Sequence, residues 1–179
     1  MMGLIKITGG GVIERIGGIC DGQTIKSTNG DITLENVTTH QNLGTSYADQ
    51  TGSSITYTAP TGTKTVIYEV FFQISVVDSH SISHHRLYID TDEVTDARTT
   101  YGSTNNQATF HFKYAIPIGG TADVGTSGRL ASWTDAKTLK LQVREYSSSN
   151  EQFLHSTQHW DGSGTNVFHR PQLFITALS

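Results

Sequence analysis

Apolar and polar positions alternate with a period of two along most of the chain. At positions 109–117, Phe110, Phe112, Tyr114 and Ile116 share one face, and Thr109, His111 and Lys113 share the other. Such alternation predicts a strand with one face in a core and one in solvent. Positions 138–146 repeat it, with Leu139, Leu141 and Val143 inward and Lys140, Gln142 and Arg144 outward. Ile32 with Leu34, and Ile55 with Tyr57, mark shorter strands.

Two segments are apolar on both sides. At 65–77 the even positions Tyr68, Val70, Phe72, Ile74 and Val76 are all apolar, while the odd positions mix Ile67, Phe71 and Val77 with Glu69, Gln73 and Ser75. At 172–178, Leu173, Ile175 and Ala177 oppose Phe174 and Leu178. A strand apolar on both faces needs cover on both faces. No good helix is available to supply the second cover, so another subunit is expected to do so.

Turn signals punctuate these runs: Asn29-Gly30-Asp31, Pro60-Thr61-Gly62, Asp90-Thr91-Asp92, Gly102-Ser103, Gly119-Gly120, and positions 147–150 and 161–164. Positions 86–90 and 93–98 flank the third signal and predict a hairpin. About eight to ten strands are expected after residue 30, with a helical turn or two only near 130–137. The expected fold is therefore all-β, an antiparallel β-sandwich or jelly roll over residues 29–179. In residues 1–28, Ile5, Ile7, Val12, Ile13, Ile16 and Ile19 are scattered among glycines, too sparsely for a core of their own. They predict either an extra strand pair or frayed end, or an arm that docks on a neighbouring protein.

Composition supports the strand reading. The chain has 179 residues, of which only 16% are charged, with 26 Thr and 17 Ser. A β-branched polar residue at that level favours strands and turns. The net charge of −4 and scattered Lys and Arg argue against a nucleic-acid partner. Cys20 is the single cysteine, which excludes an intramolecular disulfide. No apolar run approaches the ~18 residues of a membrane span. The opening residues suit neither a secretory signal nor myristoylation, so synthesis in a cytoplasm is expected.

No motif carries catalysis. Gly125-Thr126-Ser127-Gly128 is one residue short of a nucleophile elbow, and no phosphate loop is present. Glu145 and Glu151 have nothing to fix their separation. His80, His84, His85, His155 and His159 have spacings that converge on a helix; in a strand, four residues separate Cα atoms by ~13 Å, too far for one ion. The acidic group Asp90, Asp92, Glu93 and Asp96 lacks the pattern of an EF-hand, with Val94 where an oxygen ligand belongs. The expectation is a non-enzymatic protein with no cofactor and no metal. Trp133, Trp160, Tyr47 and Tyr101 lie beside loop signals; of these Trp133, Trp160 and Tyr101 are candidates for stacking on host-surface glycan, the alternative being core or rim packing.

Several stretches carry a resemblance: VIERIGGICDGQTI, TGSSITYTAPTGTKTVIYEVFFQIS, SHSISHHRLYIDTDEVTDAR, IGGTADV, TLKLQVREYSSSNEQFLHSTQHWDG and RPQLFITA. They resemble virion structural proteins of marine double-stranded DNA viruses, notably cyanophages. The resemblance implies a jelly roll of the C1q and tumour-necrosis-factor group, usually a homotrimer, on a capsid surface or fibre assembled in the host cytoplasm. It implies no catalytic residue. Relatives would have a glycine-containing tip after Ile89-Asp90, where this chain has Thr91-Asp92, which leaves the turn type open. The final strand of such trimers lies at the three-fold axis, which makes Phe71, Phe174 and Leu178 the interface candidates. Residues 1–28 become the anchor to other virion proteins. The alternative function is a lectin-like attachment module using the loop aromatics.

Overall fold

The computed structural model describes residues 10–76, 81–103, 107–149, 151–160 and 164–179. They build an antiparallel β-sandwich of the jelly-roll kind. In chain order the strands are β1 (Val12–Ile19), β2 (Thr24–Ser27), β3 (Gly30–Thr33), β4 (Gln41–Asn42), β5 (Ala48–Asp49), β6 (Ile55–Tyr57) and β7 (Thr65–Val76). Next come β8 (Ser81–Ile89), β9 (Asp92–Ser103), β10 (Gln107–Pro117), the helical turn α1 (Val124–Ser127) and β11 (Lys137–Glu145). The last are β12 (Gln152–Leu154), β13 (Ser156–Trp160), β14 (Gly164–Phe168) and β15 (Gln172–Leu178). Among the described residues 13 strands begin at residue 30 or later, more than the pattern predicts. The surplus includes strands such as β4, β5 and β12, two or three residues long and too short to display an alternation.

The larger sheet runs β1-β15-β7-β12-β4, with β10 on the other side of β7; the smaller runs β5-β11-β8-β9, with β6 also on β11. The long ladders of both sheets are antiparallel. The inner face of the larger sheet contributes Val66, Tyr68, Val70, Phe72, Ile74, Leu173 and Ile175 to the core, each at most 1% exposed. The smaller sheet answers with Leu87, Ile89, Leu139, Leu141 and Val143. These are the even positions of β7 and the inward positions of β11 that the alternation predicts.

The hairpin at residue 90 forms as predicted, with Ile89 opposite Asp92. Asp90 takes the left-handed conformation (φ 55°) that a glycine would otherwise supply. Its carboxylate accepts from the Thr138 amide at 2.9 Å and from Lys137 Nζ at 2.8 Å. The helix expected near 130–137 is absent, and the helical turn lies earlier, at α1. Asp123 caps that turn by accepting from Ser127, and Gly128 ends it at φ 73°. Downstream, Trp133 anchors extended chain, its indole N–H donating to the Tyr57 carbonyl at 3.1 Å.

Within residues 1–28, the described portion enters the sandwich. β1 pairs with β15 along its length, and Ile16 and Cys20 reach the core. β2 forms a hairpin with β3, so the expected domain boundary at 28/29 falls inside a hydrogen-bonded turn. Residues 1–9, the start of the expected arm, lie outside the described residues.

The core also holds two histidines. His85, 1% exposed, donates from Nδ1 to Gln50 Oε1 at 3.1 Å and contacts Ser83 Oγ through Nε2 at 3.0 Å. His155 is fully buried at φ 62°, with Nε2 within 3.0 Å of the Thr51 carbonyl. Burial pushes the first down to about 3 and the second to about 4. Both values lie below the ~6.5 of an unfolded histidine, so the unfolded chain binds more protons and stability falls as pH drops below that value. Each histidine removes about 1.4 kcal/mol per pH unit until its folded value is reached. Chemical denaturation between pH 6 and 4.5 is expected to show uptake of about two protons on unfolding. In His155→Asn, which tolerates the left-handed backbone, the uptake drops to about one.

Candidate functional site

The odd positions of β7 point away from the core and form the middle of the larger sheet's outer face. Pairing sets the neighbours: Lys113, Glu69, Phe174 and Gly17 lie in one row across four strands, and His111, Phe71, Gln172 and Ile19 in the next. Phe71 stacks on His111 with centroids 3.9 Å apart and meets Phe174 edge-on at 6.0 Å. The Arg15 guanidinium sits 5.1 Å from the Phe174 ring centre. Both phenylalanines are half-buried.

A carboxylate lies under this layer. The Glu69 side chain is only 8% exposed, with Arg15 Nη1 and His111 Nε2 each at 3.3 Å and Lys113 Nζ at 3.6 Å. Arg15 also donates to Thr176 Oγ1 at 3.0 Å, which fixes it across β15. Two concavities flank Phe174. One, of about 330 Å³, is walled by Phe71, Gln73, Thr109, His169 and Gln172. The other, of about 320 Å³, lies over Gly17, Ile25 and Lys26. The face can seat apolar knobs beside a fixed ion cluster.

Phe71 and Phe174 are thus brought together. Leu178, on the same outer face, is separated from Phe174 by four residues of strand and lies opposite Val12. Val12, Ile13 and Ile19 on edge strand β1 are 64%, 38% and 45% exposed, which extends the apolar surface to the sheet's margin. The pattern of residues 1–28 marks these three as apolar residues of a docking arm, whereas β1 carries them on the sheet itself, beside Phe174 and Leu178.

Among the described side chains, two of the glycan candidates can be placed. Trp133 is corrected to a core residue, 6% exposed and edge-on to Tyr57, so its ring offers no face to a sugar. Tyr101 is half-buried and edge-on to Phe110. The Trp160 side chain lies outside the described part, as do Val77, His80 and the His159 side chain. His84 and His85 point to opposite faces of β8. Among the described residues no three His, Cys, Asp or Glu side chains are placed to hold a metal ion. The Cys20 thiol donates to the Gly52 carbonyl at 3.3 Å, and burial pushes it up to about 12, far from a nucleophile's range.

No protein-family model matches the chain, and no curated protein matches it.

Gly17 makes the face possible. At φ 141° it lets Phe174 lie against β1; a Cβ there would stand 2.2 Å from the Leu173 carbonyl oxygen and 2.6 Å from the Phe174 ring. Gly17→Ala is expected to lower stability by about 2 kcal/mol, or roughly 4–8 °C in Tm by calorimetry. It should also weaken ring contacts between Phe174 and Phe71 seen by aromatic NMR.

Proposed function

We propose that this chain is a non-enzymatic structural subunit of a virion, a homotrimer used as a capsid decoration or fibre component. Three copies pack through the outer faces of their larger sheets. The observation that carries this reading is the apolar outer face itself: Phe71, Phe174, Leu178, Ile19 and Val12 stand where a solvated sheet would place polar side chains. A sister copy supplies the missing cover. Each large apolar side chain that becomes fully buried contributes about 1.5–3 kcal/mol, and a closed symmetric contact repeats the gain in every subunit. The resemblance of the quoted stretches to virion proteins supports the setting. The absence of disulfides suits assembly in a reducing host cytoplasm.

Sedimentation of the purified protein is expected to give three times the 19.5 kDa chain mass. Phe174→Asp and, independently, Phe71→Asp should shift it to the single-chain mass with the β-sheet circular dichroism retained. A wild-type protein that stays at the single-chain mass at every concentration overturns the assembly. Mass spectrometry of purified particles that finds no peptides of the chain overturns the virion setting.

A further inference from the structure

The opposite side of the sandwich has a different character. On the smaller sheet, Lys140, Gln142 and Arg144 of β11 point outward beside Tyr88, Arg86 and His84 of β8, with Glu93 and Thr100 of β9 completing the grid. Strand spacing and rise make this grid roughly 10 by 14 Å. Arg98 joins it through Glu93, donating from Nε to Oε1 at 2.6 Å. Lys140 pairs with Asp49 at 2.8 Å. Arg86 lies 3.4 Å from the Glu93 carboxylate, an ion pair not aligned for a hydrogen bond. Among the described residues no carboxylate pairs with Arg144, whose one hydrogen bond goes to the Thr45 carbonyl at 3.4 Å. Four permanent cations thus face two carboxylates, an excess of positive charge on a chain whose net charge is −4.

The guanidinium groups are also held in place. Arg86 lies over the Tyr47 ring at 3.7 Å and Arg144 approaches the same ring at 5.2 Å. Both Nε atoms are buried without a hydrogen-bond partner, so a ligand would meet each guanidinium through its terminal nitrogens. A fork held flat against an aromatic ring loses little freedom on binding a planar or tetrahedral anion. Partial burial, with the charges of Arg144 and Arg86 beside it, pushes His84 down from its ordinary value.

We propose that this face binds an anionic oligosaccharide, its sulfate or carboxylate groups on Arg86 and Arg144 and its hydroxyls on Gln142, Tyr88 and Thr100. A sugar suits the surface better than nucleic acid. The grid is flat and only a few sugar rings long, neutral hydrogen-bonding groups are interleaved with the cations, and the rest of the acidic chain repels a long polyanion. The site lies on the sheet opposite the proposed trimer face and does not depend on the oligomeric state.

Calorimetric titration with heparin-derived hexasaccharide (sulfated) and with oligogalacturonate (carboxylated) tests the site and distinguishes the two anion types. Binding of at least one is expected, weakening as salt rises, with none for neutral dextran oligomers. Arg144→Gln should weaken binding about tenfold and Arg86→Gln with Arg144→Gln about a hundredfold, at unchanged sedimentation and circular dichroism. Arg144→Lys, which keeps the charge but loses the fork, should fall between wild type and Arg144→Gln; it also serves if the glutamine variants fail to fold. The proposal is overturned if neither acidic sugar binds, if the arginine variants bind as wild type does, or if duplex DNA or polyglutamate binds as tightly as the sugars.

Discussion

The long strand β7 is the constraint from which the rest of the structure follows. It is paired on one side to β10 from Thr65 to Ser75, and on the other to β15 and then β12. A strand held so completely cannot slip by one residue without turning every side chain to the wrong face. Its even positions are therefore committed to the core, and its odd positions, Glu69 and Phe71 among them, to the outer face. The core and the candidate interface are two sides of one register.

That coupling explains why the outer face holds a carboxylate as well as aromatic rings. Glu69 lies deep between the Lys113 and Phe174 positions, and an unpaired charge there would be costly. Arg15, His111 and Lys113 converge on it from the strands to either side. The ion cluster thus spans β1, β7 and β10, and Arg15 serves it while lying over Phe174. Apolar and ionic contacts are not alternatives on this face, since the same arginine takes part in both.

Much of the fold was legible because long strands leave a long periodic trace. Positions 65–77, 109–117 and 138–146 each alternate over enough residues to declare their inward side, and the hairpin at Asp90 lies between two such runs. Short strands such as β4 and β5 leave no trace, so the strand total was underestimated. Trp133 stayed open between sugar stacking and core packing because a loop signal describes the backbone and not where the side chain goes; the partner that buries it, Tyr57, is 76 residues away. The helix near 130–137 failed for the same reason, since an anchored tryptophan holds that segment extended. The cationic grid was invisible for a topological reason. Arg86, Arg98 and Arg144 look scattered along the chain, and only the order β11-β8-β9 gathers them.

The two outer faces obey opposite rules, and this difference bears most on function. A sandwich that worked alone would gain from polar side chains on both outer faces, because exposed apolar rings invite nonspecific association. Here the Phe71–Phe174 pair and the exposed aliphatic side chains of β1 lie on the larger sheet, and the arginine grid lies on the smaller. Association through the first face would leave the second pointing outward in every copy. One weak ionic site would then be repeated on a rigid assembly, where linked sites bind more tightly than separate ones without any new contact. The buried histidines belong to the interior instead. They lie between the sheets, bonded to Gln50, Ser83 and Thr51, and reach neither face.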